Sequence, residues 1–115
     1  MPSTLMDELL KKAEEKKKAY LWFEAAQLLE KAAAASPEKI EQARVMESAG
    51  YCHSRASQQA TSYAMFRKRR KAAVQAYRKA SEQYRLIDGE KKAGKTNECC
   101  MQAEYYAAWL ASDPS

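Results

Sequence analysis

The side chains that favour β-sheets and tight turns are nearly absent from this sequence, and this shortage constrains the fold more than any other feature. Val, Ile and Thr together number 7, and there are 3 Gly and 3 Pro, whereas Ala alone numbers 22. Strands are enriched in β-branched residues and turns in Gly and Pro, while Ala is the strongest helix former. The sequence therefore predicts an all-α protein.

The length and composition are typical of one folded domain. The 115 residues are 46% hydrophobic and 30% charged, so we expect one domain over residues 1–115, either alone or within a larger protein. No apolar run approaches the ~18 residues of a membrane span, and the N-terminus lacks the pattern of a secretory signal. The three cysteines have neither disulfide-framework nor zinc-site spacing, which favours a reducing compartment such as the cytoplasm.

Apolar spacing and capping signals predict about five antiparallel helices, in a short solenoid or a bundle. Ser36-Pro37-Glu38 is the clearest boundary: we expect Ser36 to be the N-cap of the third helix and Pro37 its first residue. Asp88-Gly89 is a turn signal that should end the fourth helix. The predicted helices cover about 5–19, 22–35, 37–57, 63–87 and, from 90 or 96, up to 111.

The fourth helix carries a heptad-like apolar stripe suited to packing against neighbouring helices at a shallow angle. Arg70 interrupts this stripe. On the third helix, one side combines apolar residues with Gly50 and His53. The members of the stripe are Tyr63, Phe66, Ala73, Tyr77, Ala80, Tyr84 and Ile87.

A helical repeat is indicated by residues that recur at an offset of 68, twice the 34-residue period of tetratricopeptide repeats. The second helix resembles the second helix of such a repeat. Ala25 and Ala32 match its small positions, Leu29 its large apolar position and Pro37 its closing proline. In a later copy, the residues that match by type are Tyr77, Ser81, Tyr84, Ala93 and Cys100.

This resemblance implies helical hairpins and peptide or protein binding in a concave groove. The chain is also similar to the soluble NSF attachment protein type and to microtubule-interacting-and-transport modules, and the choice among the three stays open. In the chaperone-binding subset of the family, Lys and Asn side chains clamp a terminal carboxylate. Leu10 and Glu14 stand at the matching places, so we expect no such clamp.

Catalytic constellations are not visible in the sequence. The one histidine, His53, falls on the predicted inner face of the third helix and is expected to be a packed core residue. Cys52 precedes it, but adjacent helical residues point about 100° apart, so the two do not form a dyad. Cys100 is expected to fill a small packing site. We therefore predict a non-enzymatic protein with no cofactor and no metal.

A basic helix surface is the feature most suited to binding. Residues 51–95 hold 12 Lys and Arg against 3 Asp and Glu. Within them, the run 67–71 is wholly basic, and Lys71, Arg78 and Arg85 follow at intervals of seven, with Lys68 adjoining. Such a stripe can meet the carboxylates of an acidic protein segment or the phosphates of nucleic acid. The predicted partner-binding residues here are Arg67, Lys68, Lys71, Arg78 and Arg85.

The C-terminal helix is apolar around most of its circumference. Tyr106 or Trp109 should therefore contact a returning N-terminal helix, a second subunit or a downstream domain, unless this wide apolar face is internal to a compact bundle. The predicted fold and the basic surface favour one function and leave two alternatives open. The favoured function is a protein–protein interaction module (adaptor or scaffold) that binds an acidic segment. The alternatives are a nucleic-acid-associated protein and a self-assembling homo-oligomeric subunit. Residues 68–71 also resemble a basic localisation signal, so a nuclear location stays open.

Overall fold

The computed structural model describes residues 4–87 and 93–111, with the side chains of residues 4, 93 and 109–111 excepted. Within these ranges every regular element is a helix, which confirms the all-α prediction. The predicted turn at Asp88-Gly89 lies outside the described residues. The helices are α1 (Thr4–Lys18), α2 (Trp22–Ala35), α3 (Lys39–Gln58), α4 (Tyr63–Ile87) and α5 (Ala93–Ala111).

Each helix packs mainly against its neighbours in chain order: α1 on α2, α2 on α3, α3 on α4 and α4 on α5. The array measures 48 × 34 × 17 Å along its principal axes. Small side chains line the contacts, because they let neighbouring helices approach closely. Ala residues with no exposed surface occur in every helix from α1 to α4, among them Ala13, Ala25, Ala32, Ala43, Ala49, Ala73 and Ala80.

Helix α3 is buried on two sides because it lies between α2 and α4. The predicted inner face is buried at Met46, Gly50 and His53. A second buried side, with Val45 and Cys52, was not predicted. Helices α3 and α4 approach closely at Gly50, where an added Cβ atom would stand 3.0 Å from the ring of Tyr77.

The boundary between α2 and α3 differs from the prediction. Helix α3 begins at Lys39, with Glu38 at the N-cap position, so Ser36 is not its N-cap and Pro37 is not its first residue. The Ser36 amide instead donates to Ala33 and closes α2, and Ser36 has the extended backbone that residues before proline prefer. Its hydroxyl accepts a hydrogen bond from the Glu38 amide at 3.4 Å. Ser36 therefore ends one helix and shapes the turn before the next.

The chain reverses between α1 and α2 without a glycine. Tyr20 takes the left-handed conformation with φ 61°. Its amide donates to the Lys17 carbonyl at 2.9 Å, and the Leu21 amide donates to the Lys16 carbonyl at 2.9 Å. These are the two hydrogen bonds of a Schellman motif. Tyr20 therefore terminates α1 at the strained position that glycine usually fills.

The three cysteines are free thiols in two different environments. Cys52 and Cys99 are buried and Cys100 is exposed. The prediction that Cys100 fills a packing site is therefore wrong: the neighbouring Cys99 faces the core, because one residue rotates the helix by about 100°. Burial, together with the charge of Glu47, raises the pKa of the Cys99 thiol to about 12, and burial also raises the pKa of Cys52.

We expect one thiol to react quickly with Ellman's reagent in the folded protein at neutral pH. The thiolate is the reactive form, and Cys52 and Cys99 combine burial with a raised pKa. Cys100→Ser should remove the fast phase, and the other two thiols should react only after unfolding by guanidinium. A fast phase that survives in Cys100→Ser would contradict the described burial of Cys52 and Cys99.

Candidate interaction surface

Helix α4 carries five exposed cations, Lys79 and four others that we call the basic ridge. The four ridge cations are Lys68, Lys71, Arg78 and Arg85. The opposite face of α4 is buried at Ala73, Tyr77 and Tyr84 against α3 and α5. Since the buried residues recur at about seven, the cations that also recur at seven stay on the outside along the whole helix.

The basic run 67–71 divides between the surface and the interior. Lys68 and Lys71 are exposed, whereas Arg67 and Arg69 are partly buried and Arg70 is only 7% exposed. The Arg69 guanidinium donates to the Ala56 carbonyl at 2.9 Å. Only part of this run can therefore meet a partner directly.

Arg70 interrupts the apolar stripe and yet packs inside it. Its guanidinium carbon lies 4.8 Å from the ring centroid of Phe66 and 4.7 Å from that of Tyr106. Burial lowers the pKa of Arg70, while the neighbouring Tyr106 acts in the opposite direction. Two aromatic faces thus replace part of the hydration that the cation loses.

The carboxylates near the ridge leave it open. Arg78 lies 3.9 Å from Glu104 of α5, and both side chains are more than half exposed, so this contact adds little to stability. Glu82 lies between Arg78 and Arg85 on the same helix. Next to them, a groove of about 380 Å³ runs between α4 and α5, and it is lined by Arg78, Ser81, Glu82, Arg85, Thr96, Asn97 and Cys100.

Of the two C-terminal aromatic side chains singled out in the sequence, the structure describes one, Tyr106. Tyr106 is partly buried, and its ring stacks on Tyr77 with centroids 5.9 Å apart and planes inclined by 13°. Tyr106 thus packs within the chain, against Tyr77 and Arg70 of α4, which agrees with the alternative of an internal apolar face. The side chain of Trp109 lies outside the described residues. On the same helix, Met101 and Tyr105 are exposed.

The polar side chains of the interior connect helices. His53 is buried, as predicted, and its Nε2 lies 3.1 Å from Glu30 of α2. The Tyr84 hydroxyl donates to Glu47 at 2.9 Å, and Lys95 of α5 contacts the same carboxylate at 3.3 Å. Burial, followed by this hydrogen bond, raises the pKa of Tyr84. Among the described side chains, no group of three metal-ligating residues comes together.

Sequence reasoning missed a pocket of about 350 Å³ at one end of the ridge. It is lined by Phe23, Ala64, Met65, Lys68 and Arg69. The Arg69 guanidinium carbon lies 4.9 Å from the ring centroid of Phe23. These two residues are far apart in the chain, so no local spacing could have revealed the contact.

Comparisons with protein-family models, curated proteins and solved structures find no match for this chain. Among the described helices, none has the length and apolar character needed to span a bilayer.

Proposed function

We propose that this protein is a non-catalytic interaction module of the tetratricopeptide-like type, which binds an acidic protein segment along the basic ridge. The observation that supports this proposal most directly is that one helix exposes all four ridge cations, Lys68, Lys71, Arg78 and Arg85. Consecutive packing of antiparallel helices is compatible with a helical repeat and supports this assignment. The three free thiols suit a reducing compartment such as the cytoplasm.

The length of the ridge favours a long partner. From Lys68 to Arg85, seventeen residues at about 1.5 Å each span roughly 25 Å. This is about three times the ~8 Å Debye length at physiological salt, so a single small anion cannot engage the whole ridge. The cations spaced by seven stand about 10 Å apart, and every third residue of an extended segment matches that interval at ~3.3 Å per residue.

A protein segment suits the ridge better than single-stranded nucleic acid. Base stacking needs accessible aromatic rings between the cations. The ring of Tyr63 is exposed, but it lies in the first turn of α4, before the first ridge cation. The other rings on α4 are those of Phe66, Tyr77 and Tyr84. Tyr77 and Tyr84 are buried, and Phe66 is partly buried under Arg70.

Reversing three ridge charges should weaken binding of an acidic peptide at least about tenfold, or ~1.4 kcal/mol. The variant is Lys71→Glu, Arg78→Glu and Arg85→Glu, and the probe is a fluorescent peptide with Glu at every third position. Each lost attraction becomes a repulsion, while these exposed positions leave the fold intact. Fluorescence anisotropy at two salt concentrations measures the change.

The matched control reverses three exposed lysines away from the ridge, Lys11→Glu, Lys12→Glu and Lys31→Glu. It has the same net charge as the ridge variant and should bind nearly as wild type does. Equal loss in both variants would contradict a localised site. Tight binding of a single-stranded oligonucleotide with a steep salt dependence, and none of the peptide, would favour the nucleic-acid alternative. Sedimentation as a stable oligomer without ligand would favour self-assembly.

A further inference from the structure

The pocket of about 350 Å³ between α2 and the start of α4 adds a second element to the surface. Its walls are the ring of Phe23, the methyl group of Ala64 and the side chain of Met65, together with the apolar stems of Lys68 and Arg69. Its volume of about 350 Å³ lies near the lower end of the ~300–1,000 Å³ range of ligand pockets, which leaves room for one large apolar side chain.

The walls of this pocket are held in place. Arg69 is fixed from two sides, by the Ala56 carbonyl at 2.9 Å and by the Phe23 ring at 4.9 Å. Phe23 also contacts the buried His53, with ring centroids 6.1 Å apart. A preformed pocket binds an anchoring side chain with less loss of conformational entropy than a mobile one.

The charges at the rim indicate what surrounds the anchor. Lys68 lines the pocket and is also the first cation of the basic ridge. Arg69 adds a second positive charge on the same rim. A segment that inserts an apolar side chain here therefore places its neighbouring residues against cations, which favours carboxylates and disfavours basic residues.

We propose that the pocket receives one large apolar side chain, such as leucine or phenylalanine, at one end of the acidic segment that lies on the basic ridge. This proposal rests on the function proposed above and defines the partner as an acidic segment with an apolar anchor. It resembles known interfaces in which one buried anchor supplies much of the affinity and charged contacts guide the approach.

An anionic membrane is the other ligand that combines apolar and acidic character. Membrane-binding helices present a continuous apolar face beside their basic one. On α4, by contrast, the large exposed apolar side chains stand at the two ends, with Tyr63 and Met65 in the first turn and Leu86 in the last, and the exposed side chains between them are polar or charged. A concave pocket bounded by cations fits the anchor of a peptide better than a bilayer.

The test compares two fluorescent peptides that carry Glu at every third position, one with and one without a leucine at one end. Fully burying one such side chain contributes about 1.5–3 kcal/mol. We therefore expect the leucine to tighten binding at least about tenfold. Ala64→Trp should fill the pocket and abolish this gain while leaving the affinity for the leucine-free peptide unchanged. Ala64 is exposed, so the substitution does not disturb the core.

The control is Ala108→Trp, at an exposed alanine of α5, which should keep the full leucine gain. The methyl resonance of Met65 reports on the pocket independently of the ridge, and it should shift only with the leucine peptide. Equal affinity for both peptides, or a leucine gain that survives Ala64→Trp, would overturn the anchor while leaving the ridge proposal intact.

The same experiments distinguish failure of the ridge proposal from failure of the anchor proposal. If neither peptide binds and the Met65 resonance is unchanged, both proposals are wrong. If the ridge charge reversals have no effect but the leucine still shifts Met65, the ridge proposal alone is wrong and the pocket stands as an apolar site. Preferential binding to vesicles of anionic phospholipid, lost in Ala64→Trp, would overturn the peptide anchor in favour of a membrane.

Discussion

Gly50→Leu is expected to destabilise the protein by about 1–3 kcal/mol, because it overpacks a close contact between α3 and α4. Even a Cβ atom at this position would stand 3.0 Å from three atoms of the Tyr77 ring. Tyr77 cannot move away easily, since its ring also stacks on Tyr106. Thermal unfolding followed by circular dichroism should show a fall in Tm of about 4–5 °C for each kcal/mol.

Gly94→Leu is the matched control for this substitution. Gly94 also lies in a helix, but a Cβ atom added there meets nothing within 4 Å. Replacing glycine by leucine in an exposed helix gains a few tenths of a kcal/mol or more from helix propensity. We expect this variant to unfold at the wild-type temperature or above it. Equal destabilisation of both variants would contradict the close approach of α3 and α4.

Arg70→Ala is expected to cost about 2–4 kcal/mol, because the guanidinium is buried between the rings of Phe66 and Tyr106. A desolvated cation–π contact contributes up to about 2 kcal/mol, and the substitution removes two of them together with the packed stem. The substitution also removes the contact with Tyr106 that links α4 to α5. Urea unfolding measures the loss as a lower midpoint at an unchanged slope.

Two further variants separate packing from charge at this site. Arg70→Lys keeps the charge but lacks the planar group that lies over the rings, so we expect an intermediate stability. Arg78→Ala removes an arginine of the ridge that is more than half exposed, and its effect should stay within about 0.5 kcal/mol. Wild-type stability of Arg70→Ala would show that Arg70 does not connect the two helices.

The helical architecture could be predicted from the sequence because its signals are local. The limits of α2 and α4 follow from apolar residues spaced by three and four, and both agree with the structure. The inner face of α3 was predicted correctly at Gly50 and His53. Helix periodicity fixes these positions without any knowledge of the neighbouring helix.

The errors arise where tertiary contacts decide between neighbouring residues. Ser36 has the sequence context of an N-cap, but its amide and hydroxyl serve the end of α2 and the turn. Cys99 rather than Cys100 is buried, because the rotation of α5 depends on its contact with α4. Tyr20 adopts a left-handed conformation that its residue type does not predict.

The candidate site also combines features that local spacing predicts with contacts that it does not predict. The exposure of Lys71, Arg78 and Arg85 followed from their spacing, which keeps them off the apolar stripe. The same spacing placed Arg70 within the apolar stripe. The partly buried position of Arg69 and the partners Phe23 and Tyr106 did not follow from it, since these rings come from other helices. The pocket beside Lys68 could not be predicted for the same reason.

The most direct test of the central claim is an NMR titration of the ¹⁵N-labelled protein with the acidic peptide. If α4 presents the binding surface, the largest shifts should fall on the side-chain NH groups of Arg78 and Arg85 and on the backbone of the ridge, with saturation at one peptide per chain. Arg70 should change little, because it is buried. Shifts spread evenly over the lysines of α1 and α2, or confined to α5, would contradict the account.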